Sequence, residues 1–281
     1  MSYTTRIDIT LGDHSDPSQQ KLFLQVLDEG LRILAVNESK QPVLYRLIEY
    51  EKDAVEQDSG LQTWLQEQAD WLQLWGALVV VHHCQQAAVV PESLFGNDNG
   101  KELLDCLFGD LFRGTMLTEK IPDREDYSLY RISTARYLGL AAAHHSVKQY
   151  HLFTAWLPGL EQLPAGPDGD VYLLFENKKV AMAVRNNGWQ MISQYEYQVP
   201  EDISYILLSA LQQAGLSPET VSVHLDGWIE RDSALFLELF KYIRNLEIAV
   251  LPESVQLDES LLQGQPVHFF NPLIQMSQCV S

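Results

Sequence analysis

The chain has 281 residues, 46% of them apolar and 20% charged, and its 19 Lys+Arg against 38 Asp+Glu leave a formal net charge of −19. This is a globular composition, long enough for one large domain or two moderate ones, and neither disordered nor fibrous. So acidic a balance excludes a protein that neutralises nucleic-acid phosphates, which takes clustered Lys and Arg.

The N-terminal residues Met1 to Asp8 lack the apolar segment of a secretory signal. Three apolar runs follow, Leu22–Leu27, Leu31–Val36 and Val43–Tyr50, separated by Asp28-Glu29-Gly30 and by Asn37–Pro42. Short β-rich runs with such punctuation predict a three-stranded antiparallel meander. Leu61, Trp64, Leu65, Gln68, Leu72 and Trp75 keep helical spacing and predict one amphipathic helix with an aromatic face. The continuous run Ala77–Val81 reads as a strand covered on both sides. It is also part of the longest apolar stretch, far short of the ~20 residues that cross a bilayer.

A variable segment, about 85–147, comes next. Within it, Gly96-Asn97-Asp98-Asn99-Gly100-Lys101-Glu102 misses the P-loop pattern by one residue and by the Glu in place of Ser/Thr, and reads as a loop feeding a helix over Lys101–Phe108. Of two histidine pairs, His82-His83 lies on a strand, where neighbours point to opposite faces, and His144-His145 lies at the end of a helix, and neither has a Cys or carboxylate at ligand spacing. Pro158, Gly159, Pro164, Gly166, Pro167 and Gly169 form a link rich in helix and strand breakers.

The pattern then returns. Val171–Phe175, Val180–Val184 and Trp189–Tyr197 form a second meander, with Glu176–Lys179 and Asn186-Asn187-Gly188 as turns. Pro200–Ala214 is a helix stopped by Gly215, Thr220–Leu225 a strand, Asp232 or Ser233 the cap of a helix through Arg244, and Glu247–Leu251 a last strand. The two copies of strand, strand, strand, helix, strand lie roughly 140 to 150 positions apart. The expected halves are 1–157, with an insertion at about 85–147, and 158–281. Cys84, Cys106 and Cys279 are odd in number and without a Cys-x-x-Cys pair, which suits a reducing cytoplasm. The expected location is cytoplasmic.

A meander continued by helix-linked parallel strands is the ribonuclease-H-like layout, and two such halves make the actin-like arrangement. Val221–Leu235 running on to Lys241–Asn245, with Ala88–Phe95 and His268–Leu273, is similar to an uncharacterised bacterial family, a domain of unknown function with an actin-like ATPase fold. The expected fold is therefore α/β, two ribonuclease-H-like halves with mixed sheets flanked by helices.

The resemblance implies a nucleotide held between the halves, its phosphates and metal at an Asp-x-Gly turn and its adenosine at a glycine-rich turn. The candidates are Asp28 and Gly30 for the first position and Asp226 and Gly227 for the second. Each is degraded. Asp28-Glu29-Gly30 runs straight into a strand, the second turn Glu176-Asn177-Lys178-Lys179 has no glycine and no aspartate, and bulky Trp228 follows Gly227. No Gly-x-Ser-x-Gly and no Cys beside a base offers nucleophilic catalysis. The reading is a non-catalytic pseudo-ATPase, without cofactor, that serves as a protein-interaction or assembly module and is compatible with a homo-oligomer. Trp71, Trp75, Trp156, Trp189, Trp228, Tyr195 and Tyr197 are candidates for the partner surface. The alternative is an atypical ATPase or small-molecule kinase that binds ATP with Mg²⁺.

Overall fold

The computed structural model describes residues 3–13, 16–51, 58–96 and 99–280. The chain forms two compact units, one running to Leu160 and regaining Pro252–Gly264 and the residues from Leu273, the other made of Glu161–Leu251 and Gln265–Pro272.

In the first unit the elements are β1 (Tyr3–Thr10), β2 (Lys21–Val26), β3 (Gly30–Val36), β4 (Pro42–Tyr50), α1 (Ser59–Glu67), α2 (Ala69–Leu72), β5 (Ala77–His82), β6 (Ala87–Pro91), α3 (Gly100–Phe108), β7 (Thr115–Lys120), β8 (Asp126–Ile132), α4 (Thr134–Ala142), β9 (Val147–His151) and α5 (Leu152–Glu161). A six-stranded sheet has the order β1-β4-β3-β2-β5-β9. Its first four strands pair antiparallel; β5 and β9 extend it parallel to β2. Leu22, Leu24 and Val26 of β2 meet Leu61, Trp64 and Leu65 of α1, and Leu140 of α4 joins the same core. The β2–β3 turn closes with Leu27 N donating to Gly30 O at 3.0 Å. Gly30 has no alternative, since a Cβ there would collide with the Ile48 carbonyl oxygen of β4.

Five expectations change here. β1 adds an edge strand that the apolar runs do not announce, because only Ile9 of it is buried. The helix expected over 61–75 breaks at Gln68 into α1 and α2. The variable segment holds a separate antiparallel sheet, order β6-β8-β7, with Leu104 of α3 against Val90 and Leu129. The insertion ends before α4, because Leu140 packs into the core of the main sheet. Finally, α5 carries Pro158 inside it. Leu152, Phe153, Trp156, Leu157 and Leu160 are all buried, and that burial outweighs the hydrogen bond the proline forgoes.

The second unit repeats the plan with β10 (Asp170–Glu176), β11 (Lys179–Arg185), β12 (Trp189–Glu196), α6 (Pro200–Ala214), β13 (Ser222–Gly227), α7 (Ala234–Phe240) and β14 (Asn245–Ile248). The sheet order β12-β11-β10-β13-β14 matches β4-β3-β2-β5-β9 strand for strand, with β10 and β13 parallel. Ile203, Leu207 and Leu211 of α6 and Leu235 and Leu239 of α7 pack on Val171, Leu173, Val223 and Leu225 of the sheet. Asp202 starts α6 by accepting from Gln198 N and Val199 N at 2.8 and 3.1 Å, and Gly215 ends it with φ of 67°. Ser233 caps α7, which stops at Phe240 rather than Arg244.

A last helix, α8 (Asn271–Cys279), closes the chain. The second half does not run to residue 281 as expected. Gln41 bonds Ser254 O and Gln256 N at 2.9 and 3.0 Å, Lys40 Nζ bonds Gln278 O at 2.6 Å, and Gln263 bonds Asp8 O at 3.1 Å, so Pro252–Gly264 and the residues from Leu273 are held by the first unit, while Gln265–Pro272 stays with the second.

Candidate functional site

The first candidate turn lies where β2 ends beside β5. Asp28 is exposed, and its Oδ1 is 3.9 Å from Nη2 of Arg136. That guanidinium, in the first turn of α4, also grips Asp58, with Nε to Oδ1 at 2.7 Å. Ser133 caps α4, accepting from Arg136 N at 3.0 Å while its hydroxyl donates to Asp58. Beside this group the Tyr50 hydroxyl is buried, and burial pushes its pKa far up. A protein cation thus already faces both carboxylates, and Gly30 is committed to its approach to β4.

The second candidate turn ends β13. Asp226 is buried, its Oδ1 accepts from Gly227 N at 2.9 Å, and its Oδ2 accepts from Asn271 Nδ2 at 2.7 Å. Gly227 has φ of 80°, and a Cβ on it would strike the carbonyl oxygen of Phe175. Trp228 N donates to that same oxygen at 2.9 Å. The Trp228 ring lies 6.2 Å from Phe269, and His268 Nε2 donates to Ile229 O at 2.5 Å. Burial lowers the His268 pKa, against the contact with Ile229. The β10–β11 turn is tied down as well, with Tyr197 donating through its hydroxyl to Asn177 O and through its N to Lys178 O at 3.0 and 3.1 Å.

Tested against a nucleotide and its Mg²⁺, these residues fit poorly. The two glycines make room for neighbouring carbonyls, the Gly227 N–H is given to Asp226, and the carboxylates have partners within the protein. Among the described residues, no group of three or more His, Cys, Asp or Glu side chains is disposed to hold a metal ion. His144 is a bonded core residue, 2.9 Å from Trp75 O and accepting from Ser146 N at 3.0 Å. Of the near P-loop, Asn97 and Asp98 lie outside the described residues, and Lys101 pairs with Asp105 at 3.1 Å.

The aromatic set expected on a partner surface is mostly interior. Trp75 and Trp156 are buried, Trp71, Tyr195 and Tyr197 pack on the cores, and Trp189 donates to Glu161 at 2.5 Å. The exposed large apolar side chains are others. Tyr205 of α6 and Leu237, Phe240 and Tyr242 in and after α7 stand out from the second unit. From the first unit, Leu107, Phe108, Phe112 and Leu111 do so, the last 97% exposed. Helical spacing could have shown them, since Tyr205 and Phe240 fall off the buried stripes of their helices. Cys84 is buried, Cys106 exposed and Cys279 between them, each a reduced thiol.

At the other end of the second sheet, Arg185 donates to Asp170 Oδ2, the Tyr172 hydroxyl, Leu163 O and Pro164 O at 2.9, 2.6, 3.1 and 2.9 Å. Gly166 N reaches the same carboxylate oxygen at 2.9 Å. Burial alone would raise the Asp170 pKa; the donors from Gly166, Arg185 and His224 outweigh it and hold the carboxyl below its usual range.

A sheet of three antiparallel strands continued by two parallel ones, built twice, defines an actin-like ATPase fold. Within that class the chain belongs to the family described as "Protein of unknown function (DUF3822)", which it matches over residues 12–246. Among solved structures, it is similar to a Bacteroides thetaiotaomicron protein with actin-like ATPase fold and unknown function, at TM-score 0.71 and 16% identity, covering 84% of this chain and 93% of that one. It is also similar to a chain of the PilM–PilN type IV pilus biogenesis complex (TM-score 0.53, 15% identity, 92% and 96% covered). A third is the ethanolamine utilization protein EutJ from Carboxydothermus hydrogenoformans (TM-score 0.50, 9% identity, 93% and 90% covered). At such identities the likeness is one of fold. No curated protein matches the sequence. No helix among the described residues is long and apolar enough to cross a membrane.

Proposed function

We propose that the chain is a cytoplasmic, non-catalytic actin-like protein, a pseudo-ATPase that works as a protein-interaction or assembly module. The observation that carries this reading is the commitment of both turn aspartates: Asp28 faces Arg136 at 3.9 Å, and Asp226 is held by Asn271 at 2.7 Å. Asp226 is bonded away from any metal, and the Arg136 guanidinium beside the exposed Asp28 disfavours a second cation there. The exposed Tyr205, Phe240 and Tyr242 supply the large amphipathic surface that partner contacts favour. A chain of this fold stands in the PilM–PilN complex, which supports a role through binding.

Thermal denaturation with ATP and Mg²⁺ tests the reading. A ligand at 100 times its Kd stabilises the native state by about 2.7 kcal/mol. The expected result is no Mg²⁺-dependent rise in Tm. A clear rise, with hydrolysis that Asp28→Ala abolishes, overturns it in favour of an atypical ATPase or small-molecule kinase.

A further inference from the structure

The carboxyl ends of β5 and β9 carry three imidazoles with no part in the turns above. His82 and His151 face one another in the β5–β9 register, and His83 follows, its backbone N donating to Val26 O at 3.1 Å. All three are essentially inaccessible to water. Tyr130 of β8 lies across them, its ring 5.8 Å from that of His82 and 5.2 Å from that of His151. Its hydroxyl donates to Glu119 Oε1 of β7 at 2.5 Å, and Glu119 Oε2 accepts from His151 N at 3.0 Å. His151 Nδ1 accepts from Phe153 N at 3.1 Å and Nε2 points at Cys84 O, 3.4 Å away. His82 Nε2 meets Gln149 Oε1 at 3.0 Å, while its Nδ1 is buried without a hydrogen-bond partner among the described residues. This polar cluster joins the three-stranded sheet to the six-stranded one.

We propose that the cluster is a proton-operated latch, which acid opens to release the three-stranded sheet and α3 from the six-stranded sheet.

The reason is electrostatic. Protonation would place charges on imidazoles packed within one cluster, shielded from water, with Glu119, among the described residues, the carboxylate bonded into it. The other ionisable groups facing it are Cys84, Tyr130, Tyr137 and Tyr150, with Arg136 and Asp58 further out on opposite sides of the charge balance. Burial lowers the His82 pKa to about 4, and burial with the neighbouring His83 and His82 lowers that of His151 well below the ordinary value. The closed latch therefore holds these two neutral, and opening takes up protons. The latch is at full strength above the ordinary histidine pKa of about 6.5 and weakens as pH falls from there towards the depressed values. Glu119, its pKa raised by burial, works in the opposite direction. The latch opens in acid as the two histidines outweigh that one carboxyl.

A closed-state pKa of about 4, as at His82, multiplies the open fraction by about 30 between pH 7.5 and pH 5, and His151 adds to this in the same direction. Hydrogen–deuterium exchange of the full chain at those two pH values, corrected for intrinsic rates, reads this directly. Protection in β7 and β8 is expected to fall at least tenfold at pH 5, with β10 and β11 unchanged. Equal protection at both values overturns the proposal, and so does a loss shared by both units. The variant His82→Gln, His151→Gln should lose most of the pH response while keeping neutral groups in place. A full response in that variant also overturns the proposal, and if the variant does not fold the native chain still decides.

Discussion

Arg185 shows how much one side chain carries in the second unit. It is 8% exposed, pairs with Asp170, and holds the backbone of the link at Leu163 and Pro164. Its guanidinium also lies over the Tyr172 and Trp189 rings at 5.4 and 5.6 Å. Arg185→Ala strands a buried carboxylate, which costs about 3–5 kcal/mol and should lower Tm in a thermal melt at pH 7. The Asp170 pKa is depressed, so its contribution is complete above the unfolded value of about 3.9 and is lost as pH falls below it. Melts below pH 4 should therefore show native and variant converging. At this scale the sequence is ambiguous. Asp226-Gly227 looks the same whether the glycine admits a phosphate or, as here, the Phe175 carbonyl, and no pattern along the chain announces that Asn271 will reach back to Asp226.

The elements were legible where apolar periodicity is strong. Both meanders, the helix over 200–214 and the parallel strands β5 and β13 follow from apolar runs, whereas β9, with His151 its one fully buried residue, is not announced. They were illegible where burial is sparse or a breaker intervenes. β1 has one fully buried residue, and Pro158 hides α5 although its neighbours are interior. The cap of α7 was narrowed to Asp232 or Ser233, and it is Ser233 whose hydroxyl accepts from Phe236 N at 3.2 Å. Ser233→Ala should cost about 1 kcal/mol, seen as a lower denaturant midpoint with an unchanged m-value, since the same surface unfolds.

For the whole molecule, the repeated element order was readable but the path of the last thirty residues was not. Short polar stretches after residue 251 carry no periodicity that assigns them to either unit. Leu262, Leu273, Ile274 and Met276 are nonetheless buried, and their segments belong to the first unit. Ending the chain after Leu251 should therefore destabilise the first unit, with β2–β4 peptides released early in limited proteolysis, although the deleted residues follow the second unit in sequence. Survival of β2–β4 with loss of β10–β11 would reverse that assignment.

Cys106 sits exposed on α3, while Cys84 is shut inside and the Cys279 thiol is half shielded, with a pKa raised by burial. Reagents arriving from solvent therefore meet one thiol first. The wild-type chain carries a native handle for a single fluorophore on the helix packed against the three-stranded sheet, so the motion of that part can be followed optically without engineering a cysteine or removing one.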